Sequence, residues 1–212
     1  MRKRWERFLS VLFQSLLLLM AAIGFVVGDM YAAWSSVFGF VLSSVPWFLK
    51  RGKILVAPFE LTLWIFVALF LHNLGVLANL YDDLWWWDKV THFLSTSLIA
   101  AFGMLGVVIV DKYVESIYLP PRFLPFFILV FVGAMGVLWE LIEFILDSVV
   151  GTAMQYSLED TVLDLVFDTL AGVVVAVIGP IYLKYRTVEA IVNEMKVEKT
   201  VKRITARRRD WQ

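Results

Sequence analysis

Three sets of polar residues interrupt otherwise apolar sequence at helical spacing. Asp88, His92 and Thr96 are four apart; Glu140, Glu143 and Asp147 are three and then four apart; Asp160, Asp164 and Asp168 are four apart again. Residues three and four apart share a helix face, so each set makes one stripe. Carboxylates beside an imidazole suit a hard or borderline divalent cation such as Mg, Mn or Zn. The spacing therefore predicts His92, Glu143, Asp164 and Asp168 as metal ligands, with Glu140 or Asp88 as general base. Asp88 also suits a partner for the imidazole on its own helix. His72 beside Asn73 offers no ligand pattern and reads as structural, as does Glu60 near Lys53. Asp88 and Asp160 also stand where helix N-caps are expected.

These groups must be held by helices in lipid. Of 212 residues, 60% are hydrophobic and only 18% charged. A soluble domain averages about 45–50% apolar and about 25% charged, and a water-soluble fold of this size could not hide the excess. Six apolar runs, about 8–28, 32–49, 59–80, 90–110, 123–146 and 161–183, are each near the ~20 residues a membrane-spanning helix needs. Short alternating segments of barrel type are absent. The expected fold is all-α: a polytopic bundle of six transmembrane helices over residues 1–185, followed by a cytoplasmic basic amphipathic tail over 186–212. The first run is longer than the ~7–15 residues usual for a signal-peptide core and reads as a retained helix.

Orientation follows from Lys and Arg. With both termini cytoplasmic, the inner side receives four bases at the N-terminus and three in Lys50–Lys53. It receives two more in Asp111–Arg122 and nine from Lys184 on, leaving only Lys89 outside. The outer connections are acidic. The polar stripes then lie in the outer halves of their spans; with the outer loops from Asp82 on, and leaving aside Asp111 and Glu115 on the inner side, ten carboxylates face one lysine and two histidines. Charge in hydrocarbon is expensive, so such acids either take up protons or bind a cation. Gly133 and Gly136 continue the Glu140 stripe inward and Gly172 the Asp168 stripe, which predicts that these faces turn to the bundle interior. Trp85, Trp86 and Trp87 read as an interfacial aromatic belt.

The tail carries Val188, Ile191, Val192 and Met195, then Val197, Val201 and Ile204, at helical spacing, with an excess of five positive charges from Lys184 on. It is expected on the anionic inner leaflet and is expected to be dispensable for folding. Zero net charge argues against a nucleic-acid partner. The lack of cysteine excludes disulfides and thiolate chemistry, and with only six Asn and Gln it fits a thermophilic source.

The string Trp87-Asp88-Lys89-Val90-Thr91-His92-Phe93 resembles the D-K-x-x-H-F signature of VanZ-like membrane proteins. Trp139-Glu140-Leu141-Ile142-Glu143 follows in that family's order, and Asp160 to Gly172 resembles its D-x-x-x-N/D-x-x-G segment. The D-T-x-x-D-L spacing, with Gln155 shortly before, is closer to the related YjdF-type family. The resemblance implies a multi-helix membrane protein and no particular reaction. Asp168 stands where VanZ-like proteins often have Asn, and their usual Arg after the glutamate segment is missing, so antibiotic resistance is not implied.

Three functions fit these residues. One is a metal-dependent enzyme of the cell membrane acting on a lipid or lipid-linked substrate at the outer leaflet. The second is a scaffold with a structural cation site, and the third is a proton- or cation-coupled carrier. Membrane lipids are the expected partners, and oligomeric state is not legible.

The topology has a direct check. Asp83→Cys and Tyr156→Cys should react with an impermeant thiol reagent on intact cells, whereas Gly52→Cys and Thr200→Cys should not. The reverse pattern would invert the orientation.

Overall fold

The structure, a computed structural model, describes residues 2–114, 120, 122–198, 200 and 201. These residues form helices and connections, with no strand among them. The elements are α1 (Arg2–Val27), α2 (Met30–Arg51), α3 (Phe59–Leu77), α4 (Leu80–Asp83), α5 (Trp87–Tyr113), α6 (Phe123–Val150), α7 (Leu158–Tyr185) and α8 (Val188–Met195). Six of them, α1, α2, α3, α5, α6 and α7, are long and apolar enough to cross a membrane. The all-helical, six-span expectation therefore holds. Several helices outrun their apolar stretches: α5 begins at Trp87 and α7 at Leu158, each about a turn before the apolar run. Backbone hydrogen bonding does not stop where hydrocarbon does. α3 stops early instead, because Asn79 adopts a left-handed conformation (φ 53°) and turns the chain into α4.

The chain divides into two compact units. One comprises the chain up to Leu84 together with the described residues from Thr187 on; the other is Trp85–Arg186. In the first, α1 packs on α2 and α3. Gly28 (φ 83°) makes the sharp reversal between α1 and α2, and Asp29 then caps α2 by accepting from the Ala32 amide at 2.9 Å. His72 belongs to this unit. Its Nδ1 lies 2.8 Å from Tyr81 Oη and its Nε2 3.5 Å from Ser35 Oγ, while Ser35 donates to Asn73 Oδ1 at 2.9 Å.

In the Trp85–Arg186 unit, α7 packs on both α5 and α6. Its core is Ala100 and Met104 from α5, Ile128 and Val132 from α6, and Val175 and Ala176 from α7. The opposite face of α6 exposes Leu138, Leu141, Ile142, Phe144 and Ile145, apolar surface that belongs against acyl chains. Gly133 is a correction to the stripe expected along α6. It is exposed, with nothing near its Cβ position, and the interior line runs through Val132, Gly136, Glu140 and Glu143. Gly133 is rotated about 100° from Val132 and so turns off that line.

The start of the tail is packed. Ile191, Val192 and Met195 of α8 are buried, the Val56 amide donates to Met195 O at 2.8 Å, and Thr200 Oγ1 donates to Ile54 O. Ile204 and the last basic cluster lie outside the described residues. Ile191→Ala should therefore cost about 2–5 kcal/mol, the usual range for emptying a buried isoleucine site. A loss of melting temperature in detergent would show it. No loss would make α8 the dispensable appendage that its sequence suggests.

Candidate metal centre

The site grows from three helices of the Trp85–Arg186 unit. α5 supplies Asp88, Lys89, His92 and Thr96 from its first turns, α6 supplies Glu140 and Glu143 late in its length, and α7 supplies Asp160, Asp164 and Asp168. The neighbours on each helix are apolar and many of them are exposed, a surface suited to lipid, so each polar stripe turns inward. Glu140 and Glu143 are each 6% exposed, Asp164 and Asp168 each 2%. Close approach of α6 to α7 needs Gly136, since a Cβ there would stand 2.7 Å from Asp168 Oδ2.

Lys89 organises one side of the site. It is buried, and its Nζ lies 3.0 Å from Asp88 Oδ2 and 2.9 Å from Asp164 Oδ1, and also donates to Asp160. One ammonium thus holds carboxylates from two helices. Asp160 does not cap α7; Ser157 does, accepting from the Asp160 amide at 3.1 Å. Asp88 likewise lies inside the first turn of α5, behind Trp86 at the cap position, so its carboxylate is available to Lys89 and His92.

His92 sits at the centre. Its Nδ1 is 3.3 Å from Asp168 Oδ1, and its Nε2 is 3.6 Å from Asp88 Oδ1. Thr96, one turn further along α5, donates to the same Asp168 oxygen at 2.6 Å. A carboxylate on one ring nitrogen fixes the ring and leaves the other nitrogen for a ligand.

The two glutamates are positioned by different means. Trp139 Nε1 donates to Glu143 Oε1 at 2.8 Å, across one turn of α6. Gln155 Nε2 donates to Glu140 Oε2 at 3.1 Å and to Glu140 O at 3.0 Å. Gln155 is held in turn by Asp147. That carboxylate accepts from Thr152 Oγ1 at 2.6 Å, from the Met154 amide at 2.8 Å and from the Gln155 amide at 2.9 Å. Gly151 (φ 79°) ends α6 and lets the loop fold back over Asp147. Glu140 Oε1 is buried and has no hydrogen-bond partner.

Two triads could hold a cation. One donor atom each from His92, Glu140 and Glu143 lie within 4.8 Å of one another, as do donors from Asp88, His92 and Asp164. Small shifts of the carboxylates would close that spread onto one ion with ligands at about 2.0–2.2 Å. The expected residues therefore all converge on this unit, in a grouping that spacing does not reveal. Glu140, expected as a base, stands with His92 and Glu143. Asp164 stands with Asp88 and Lys89, and Asp168 sits against the imidazole. The roles that the sequence did not assign are those of Lys89, Thr96, Trp139 and Gln155. Lys89 had one signal, being the single base on the acidic side.

Comparison with known proteins fits this architecture. The family model described as "Predicted membrane protein (DUF2238)" matches residues 8–185, and the chain belongs to that family. A Thermotoga maritima protein described as uncharacterised is 34% identical over 106 residues, 49% of this chain and 53% of the relative. The match thus spans about half of the relative's length. No solved structure matches.

Removing the ammonium should be costly, because it would strand three acids. Lys89→Met should destabilise by about 3–5 kcal/mol, the range for breaking a buried ion pair from one side. Lys89→Arg should cost less, and adding Asp160→Asn to Lys89→Met should restore part of the loss. Equal melting of Lys89→Met and the parent would show that the ammonium is not holding the helices.

Proposed function

We propose that this member of the DUF2238 family holds a divalent cation between α5, α6 and α7 and uses it to act on a lipid or lipid-linked substrate at the outer leaflet of the cell membrane. The observation that carries the proposal is Glu140 Oε1, a buried acceptor without a partner, beside donors from His92 and Glu143. An unpaired carboxylate oxygen in so dry a place costs several kcal/mol unless a cation or proton meets it. His92, Glu140 and Glu143 would be the protein ligands. Three such ligands leave positions open for water and substrate, as in catalytic rather than structural sites. One imidazole with two carboxylates suits Zn or Mn, and Mg is the harder alternative.

The remaining residues take supporting roles. Asp168, steadied by Thr96, would hold the Nδ1 side of His92 so that Nε2 points to the ion. Asp88 has Oδ2 on Lys89 and Oδ1 toward the imidazole, and would accept the proton of an attacking water. Asp164 would stay with Lys89 as a neutralised flank. The same strings that resemble VanZ-like and YjdF-type proteins supply Lys89, His92, Glu140, Glu143 and Asp168, which supports placing the chain beside those families. The positive-inside rule supports cytoplasmic termini, with the centre opening to the outer leaflet.

Chelator should lower the melting temperature of the purified protein, and Zn or Mn should restore it. A ligand at a hundredfold excess over its dissociation constant stabilises by about 2.7 kcal/mol. Glu140→Gln, Glu143→Gln and His92→Ala should each abolish the rescue, whereas Glu60→Gln in the first unit should not. If these variants and the parent melt alike with and without chelator, no cation is held and the acids serve as a proton path instead.

A further inference from the structure

The charge and depth of the centre bear on which substrate it takes. Asp88, Glu140, Glu143, Asp160, Asp164 and Asp168 gather around one ammonium and one imidazole. A divalent ion and Lys89 together would still leave formal carboxylate charge in excess. A lysine has three N–H donors. Those of Lys89 face Asp88, Asp160 and Asp164, and the residue is 3% exposed. The unit's other described bases, Lys112, Arg122, Lys184 and Arg186, belong to the far ends of α5, α6 and α7. Helix N-termini are the other common anion sites, but Asp88 fills the first turn of α5 and Asp160 that of α7. Apart from the ion itself, no base or helix N-terminus among the described residues near the centre is left to grip a phosphate, and the excess of acids repels one.

Depth supplies the second half. Trp85 and Trp86 are exposed at the entry to α5, and tryptophan settles at the headgroup level of a bilayer. Asp88 and His92 follow within two turns. That places the centre just below the headgroups, where glycerolipids carry their ester carbonyls.

Building on the metal centre proposed above, we infer that its substrate is the carboxylic ester of a lipid with an uncharged headgroup, such as a diacylglycerol or a glycosyl diacylglycerol. Water adds its oxygen to the ester carbonyl carbon while Asp88 takes one of its protons. The bond from that carbon to the alcohol oxygen then breaks, the alcohol leaves with a proton, and a fatty acid and a lipid alcohol result. No oxidant or further reactant is needed. The fatty acid ionises on release, and the acidic surroundings drive it out.

The test uses the full chain loaded with Co(II) in lipid nanodiscs. Imidazole should shift the visible cobalt bands, while methylphosphonate should bind at least about tenfold more weakly, since like-charge juxtaposition costs several kcal/mol. Asp160→Asn should narrow that gap. Nanodiscs containing dioleoylglycerol should release oleate, and those with phosphatidylglycerol alone should not. Methylphosphonate binding as tight as imidazole, or equal cleavage of phosphatidylglycerol, would overturn the charge argument. Cobalt bands without oleate release would overturn the ester assignment and leave the metal centre standing. Absence of cobalt bands would overturn both.

Discussion

Among the described residues, the ammonium of Lys89 is the one lysine or arginine charge within a group of acids that water barely reaches. In such a medium a bare carboxylate is far more costly than in water, and the attraction between opposite charges is correspondingly larger. Lys89 and Asp88 are adjacent on α5, while Asp160 and Asp164 are a turn apart on α7. The charge therefore acts as a bolt between the two helices, setting their register. The Glu140–Glu143 face of α6 has no such bolt. It approaches the same imidazole with acids that Lys89 does not reach.

Precision on the α6 side is built from neutral donors. Trp139 reaches Glu143 along the same helix, and Gln155 reaches Glu140 from a loop that Asp147 gathers through backbone amides. Asp147 is part of the glutamate stripe by spacing, yet its carboxylate is spent on the loop. Each donor occupies one oxygen of its glutamate. Oriented half-occupied carboxylates are better ligands than freely rotating ones, because less side-chain entropy remains to be lost when an ion arrives.

Much of this was legible from the chain. The six long helices follow from the length of the apolar runs, and burial of His92, Glu140, Glu143, Asp164 and Asp168 follows from their stripes, since lipid tolerates no other orientation. What spacing within one helix cannot state is how far that helix is rotated against its neighbour. So the partition of acids between Lys89 and His92, the place of Asp168 against the imidazole rather than in a triad, and the outward turn of Gly133 were hidden. Gln155 was hidden for another reason: its reach to Glu140 depends on a left-handed turn at Gly151 and a loop folded around Asp147. Packing of α8 was masked by composition, because its buried Ile191 and Val192 sit in a segment whose charge reads as solvated.

The unit that contains α8 is discontinuous in sequence, whereas Trp85–Arg186 is one uninterrupted stretch. A chain that emerges from the ribosome N-terminus first meets these two units unequally, and domains tend to form as their residues become available. All of α5, α6 and α7 can enter the membrane and close around Lys89 before Val56 finds the carbonyl of Met195. The first helices made are thus the last to be completed. For part of its biogenesis the chain carries a finished acidic centre while its first unit still awaits the residues that close it.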